Sequence, residues 1–251
     1  MVVGWFGSVV RRVRKVLAPT RPVAVPSGQL ASVSEVLQRL RGVGAGLDPA
    51  DGVGHFNTLY LLVTERVGER LAAHAFVNPA FLERLDVVFA GLYLEAVDAP
   101  DERRSKAWTP LFECRTAAGL VPLQFALAGM NAHINHDLAI ATVRACRQLG
   151  LTPTSPGVLH DYLTVDAVLA EVHEEVRQSL LDETERRLDR EVSPVLNLVG
   201  SWSVSRARDA AWQQALVLWE LQSSLTLTRT YLESLAGSVG LVSRQLLVAL
   251  D

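Results

Sequence analysis

Pro122-Leu123-Gln124-Phe125-Ala126-Leu127-Ala128-Gly129-Met130-Asn131-Ala132-His133-Ile134-Asn135-His136-Asp137-Leu138 opens a run that meets no helix breaker but Gly129 until Gly150. Proline is at home in the first helical turn, where its missing N–H is not needed, so the run predicts one long helix over 122–149. At about 100° per residue, Leu123, Leu127, Met130, Ile134 and Ala141 form one stripe. Gln124, Asn131 and Asn135 lie on one flank of it, and His133 with Asp137 on the other. No broad charged face appears before Arg144, and a helix that is apolar on nearly every side must be enclosed by others. The expected fold is therefore all-α: a single bundle of about seven to eight helices around a long buried central one.

The flanking segments agree. Ser32 followed by Glu35 fits a capping box, opening a helix that closes near Gly42 with a left-handed glycine. Asp51 caps a second helix, with His55, Leu59, Leu62, Val63, Val67 and Leu71 on its inner face to about Phe76. Asn78-Pro79 is a cap followed by proline at the first helical position, starting a helix to about Val97. Pro110 must break or bend the segment from Asp101 to Gly119. After Pro153 and Pro156 a helix from about Val158 runs toward the charged stretch from Asp182 to Glu191, and two more occupy 203–225 and 226–250. Period-two alternation and internal repeats are both missing.

Composition narrows the class. At 251 residues with 49% apolar content, the chain has material for one large core, so residues 28–251 are expected to form one helical domain. Residues 1–27 divide into a basic amphipathic arm and a Pro-rich linker; the arm at 2–17, with Arg11, Arg12, Arg14 and Lys15 at its end, suits peripheral contact with an anionic membrane surface. A net charge of −3 gives no general attraction to nucleic acid. The absence of a long apolar run and of a secretory pattern points to the cytoplasm. Cys114 and Cys146 read as small buried hydrophobes.

Chemistry concentrates in Asn131 to Asp137. Burying five polar groups within seven residues is costly unless each is satisfied or used. Asp137, one turn after His133, can fix the imidazole tautomer and raise its basicity, as a carboxylate does for a general base. The acid–base candidates are His133, Asp137, Asn131, Asn135 and, from the second helix, His55. Gln124, Met130, Tyr60, Asn57, Asp86 and Trp108 are the candidate contacts to a small, largely apolar substrate. A second reading takes His133, His136 and Asp137 as ligands of a single zinc or iron ion, with His136 projecting away from the His133/Asp137 flank. A third makes the cluster a register device in a non-catalytic binding or interaction protein. A phosphate loop, a nucleophile elbow, a His-Glu-x-x-His helix and an Asp-rich run are all missing from the sequence.

The string from Pro122 to Leu138 resembles the signature of an actinobacterial family of unknown function. Asp51-Gly52-Val53 with Phe56-Asn57-Thr58-Leu59-Tyr60, Leu85-Asp86-Val87 with Phe89-Ala90, and Trp108 with Pro110-Leu111-Phe112 extend the likeness over most of 50–170. The resemblance implies a helical protein of organisms rich in secondary metabolism and brings no mechanism with it. Where the family is expected to carry Asn after Asp161-Tyr162, this chain has Asp166.

Overall fold

The computed structural model describes residues 30–169 and 203–249; the N-terminal arm, Val172 and the 182–191 stretch lie outside them. The described residues form helices and turns with no strand, as the all-α reading requires. Helix α1 spans Val33–Ala45, α2 Gly52–Ala72, α3 Pro79–Asp98 and α4 Thr109–Cys114. The central helix is α5, Pro122–Ala132, a π-helical turn His133–Asp137, and α6, Leu138–Gln148. Helix α7 covers 158–169, followed by α8, Val204–Leu221, and α9, Leu225–Leu246.

Side-chain caps fix where these helices begin. Ser32 Oγ accepts the Glu35 N–H, Asp51 Oδ1 the Val53 N–H and Asn78 Oδ1 the Phe81 N–H, each satisfying a donor that has no partner inside its helix. Other boundaries differ from expectation. Helix α1 runs through Gly42 to Ala45 and closes on Gly46 at φ −91°, so no left-handed glycine ends it. The 101–119 segment is broken into pieces as expected, a 3₁₀ turn at Asp101–Arg103 and α4, with Pro110 in the first turn of α4 rather than at a bend. Asp161 Oδ1 accepts the Val77 N–H at 2.9 Å and its Oδ2 the Asn78 N–H, tying the entry of α3 to α7.

The central helix is enclosed as its composition demands. Helices α2 and α9 pack on α5, while α3 and α8 pack on α6. Gly129 of α5 lets Phe56 of α2 approach so closely that a Cβ there would fall 2.3 Å from the ring. The buried face of α2 carries Val53, Phe56, Asn57, Tyr60, Leu61, Thr64 and Val67, rotated from the face that began at His55; of that expected face, Leu59, Val63 and Val67 border the cavity described below. Cys146 is buried and Cys114 partly so, both as free thiols. Among the described residues, no helix is long and apolar enough to cross a membrane.

Candidate functional site

The π-turn is the local feature on which the site is built. In it the Leu138 N–H bonds the His133 carbonyl, five residues back, and single π-turns inside α-helices recur at functional sites. On a regular helix adjacent side chains do not face each other. Here His136 Nδ1 lies 2.7 Å from Asp137 Oδ1, while His133 Nδ1 lies 3.1 Å from Asp137 Oδ2. Hence His136 joins the His133/Asp137 pair, contrary to its expected outward projection. Trp108, buried at the start of α4, donates Nε1–H to Asp137 Oδ2 at 2.9 Å.

Protonation follows from this geometry. Burial pushes the Asp137 carboxyl up, but hydrogen bonds from His133 and His136 and their charge outweigh it and hold the group below its ordinary value. An ionised carboxylate only accepts, so the three ring nitrogens facing it carry hydrogens. Burial lowers the His133 imidazole below its usual range, with Asp137 pulling the other way. Neutral His133 therefore keeps its proton on Nδ1 and leaves Nε2 as a lone-pair acceptor, and that atom is buried with no hydrogen-bond partner.

His133 borders a cavity of about 110 Å³. Helix α2 gives it Phe56, Leu59 and Tyr60, α3 gives Leu85, Asp86 and Phe89, and α5 gives Leu127 and Met130. Val165 and Leu169 of α7 with Val204 and Arg208 of α8 complete the far side. Phe89 stacks on the His133 ring with centroids 3.5 Å apart, and Tyr60 meets it edge-on at 4.5 Å. Tyr60 Oη and Asp86 Oδ2 are, like His133 Nε2, buried and without a partner. Burial, and then the Glu83 charge, push the Asp86 carboxyl up to about 7. Burial and then the Asp86 charge raise the Tyr60 phenol well above its ordinary value, with the Thr64 side chain opposing them.

The expected residues divide cleanly. Met130, Tyr60, Asp86 and His133 border the cavity, and Asp137, His136 and Trp108 stand behind His133 as a hydrogen-bonded group. The others are brought to helix crossings, away from the cavity wall. Asn57 donates to the Leu40 carbonyl and accepts from Tyr93 Oη. Gln124 accepts the Val121 N–H and donates to the carbonyls of Leu246 and Val248. Asn131 donates to Val239 O and Ser243 Oγ and accepts from Asn135. His55 is half-buried beside Phe125, with ring centroids 6.0 Å apart. Of the proposed metal ligands, both histidines direct Nδ1 at Asp137, and among the described residues no group of three or more His, Cys, Asp or Glu side chains is arranged to hold a metal ion. Asp166 pairs with the buried Arg208.

Phe89 and Arg208 are not among the site residues that the sequence suggests, although Phe89 belongs to the strings that carry the family likeness. Phe89 sits three residues after Asp86, a spacing that shares a helix face, and that was its available signal. Arg208 had none, since its partners Asp166 and the Tyr162 carbonyl are about forty residues away.

A family model matches residues 33–249, from the start of α1 to just past α9. The chain belongs to this family of unknown function, DUF5995. No curated protein and no solved structure matches it.

Proposed function

We propose that this DUF5995 protein is a small-molecule enzyme that moves protons on a largely apolar substrate, in an isomerisation or cyclisation, with His133 as the base. The observation that carries the reading is the His133 Nε2 lone pair, buried without a partner on a ring that borders an apolar cavity. Asp137 fixes the productive tautomer and stabilises the imidazolium formed when Nε2 takes a proton, and Trp108 and His136 hold the carboxylate in place. A cavity with a mostly apolar lining and a few convergent polar groups is the expected form of a small-molecule site. The likeness of the 122–138 string to an actinobacterial family fits a role in bacterial secondary metabolism.

The test uses the whole chain and cyclohex-3-enone, whose conversion to the conjugated cyclohex-2-enone needs only proton transfer and appears as new ultraviolet absorbance. The wild type should exceed buffer, and His133→Phe should lower its rate by about a hundred-fold or more while keeping the helical circular dichroism. Asp137→Asn should lower activity far more than the unfolding midpoint. No rate above buffer, or a rate indifferent to His133→Phe, overturns the reading.

A further inference from the structure

We infer that Tyr60 and Asp86 form an oxygen-binding pair that recognises the carbonyl of an enolisable, uncharged cyclic ketone, and this deepens the proposed function and rests on it. Five buried side-chain N or O atoms lack a partner among the described residues, and three of them, Tyr60 Oη, Asp86 Oδ2 and His133 Nε2, belong to residues bordering one cavity. Buried polar groups are almost always paired, so this concentration marks positions where a ligand supplies the partner. Tyr60 of α2 and Asp86 of α3 both border this cavity, and the Asp86 charge raises the phenol.

The three groups differ in kind. His133 Nε2 can only accept, whereas the phenol O–H donates, and a buried carboxylic acid kept neutral can donate as well. The rise of the Asp86 carboxyl to about 7 keeps a large share protonated at neutral pH. Two donors and one base are the set an enolisation requires. His133 Nε2 takes a proton from the carbon next to the carbonyl. The C–H electron pair becomes the C=C bond of the enolate, and the C=O π pair moves to oxygen, which accepts hydrogen bonds from Tyr60 and Asp86. The imidazolium then returns the proton to the same carbon or to the end of a conjugated system, so no oxidant or reductant is consumed.

Charge and size define the ligand further. Among the described residues, the cation bordering the cavity is Arg208, which directs Nε to Asp166 and a terminal nitrogen to the Tyr162 carbonyl, so this lining does not call for an anion. A volume of about 110 Å³ is of the order of the roughly 150 Å³ apolar cavity that admits benzene, which suits a single six-membered ring.

Phenol is a stable mimic of the enol, and toluene has its shape without the oxygen. Calorimetric titration of both into the whole chain should show wild type preferring phenol by at least ten-fold. Tyr60→Phe and Asp86→Leu should each reduce phenol affinity five- to ten-fold and leave toluene unchanged. Equal affinity for the two rings in wild type, or a phenol preference that survives both substitutions, overturns the oxygen site while leaving His133-dependent enone isomerisation as evidence for the enzyme. Binding of neither ring overturns the inference together with the cavity reading beneath it.

Discussion

Tyr60 Oη, Asp86 Oδ2 and His133 Nε2 are held out of water without partners, and each such group costs about 1–3 kcal/mol. Tyr60→Phe, which deletes only the hydroxyl, should therefore stabilise the protein by about 1 kcal/mol in urea unfolding, against the usual result for a buried substitution. Asp86 gives a sharper test. Its carboxyl is raised in the folded state to about 7, so the folded form holds a proton that the unfolded chain releases near pH 4. Its contribution is fully present below pH 4 and is lost as pH rises to about 7, a change of a few kcal/mol at most. Asp86→Asn removes that loss, so its stability relative to wild type should climb between pH 4 and 7 and level off above. The lowered His133 imidazole works in the opposite sense, weakening the fold as pH falls below 6.5, but it is common to both proteins and cancels in the comparison. At this scale, His133 and Asp137 were legible because charge and imidazole in an apolar helix need a reason. Trp108 was legible as a residue but not in its role, since an indole N–H reaching 29 positions along the chain to Asp137 leaves no local pattern.

The elements are legible where a side-chain cap sets their start: Ser32, Asp51 and Asn78 all bond the first turns expected of them. The interior of the central helix is not, because a uniform period of about 3.6 residues misses its π-turn at His133–Asp137 and puts His136 on the wrong side. The same uniform reading treats Gly129 as a mere weakness in a helix, whereas the structure makes it the contact point with α2. Alanine for glycine inside a helix ordinarily gains about 1 kcal/mol. At Gly42, where an added methyl meets nothing within 4 Å, Gly42→Ala should show that gain in urea unfolding. At Gly129 the methyl would strike Phe56 at 2.3 Å, and Gly129→Ala should instead cost about 1–3 kcal/mol. Phe56 packs edge-on to His133 with centroids 5.7 Å apart, so the enone reaction should slow in the same variant. Equal behaviour at the two glycines would contradict the close helix crossing.

Across the whole molecule, the all-helical architecture could be read from periodicity, while the partners of the polar residues could not. In the sequence Gln124 and Asn131 look like site residues because amides in an apolar helix resemble ligands' partners. They instead donate to carbonyls of residues 239–248, more than a hundred positions later. Replacing Asn131 with Ala should cost about 1–3 kcal/mol by removing its bonds to Val239 O and Ser243 Oγ and leaving the Asn135 amide without its acceptor, with enone turnover by the folded fraction unchanged. The grip of α9 on α5 also orders events in time. A growing polypeptide leaves the ribosome N-terminus first, so the amides of α5 wait for segments synthesised more than a hundred residues later. Nascent chains arrested before residue 239 should show fast hydrogen exchange through 122–137, and chains released after 248 slow exchange. The turn that aligns imidazole with carboxylate is then assembled only after translation has passed this point, and a stalled or clipped product carries the residues of the site without its shape.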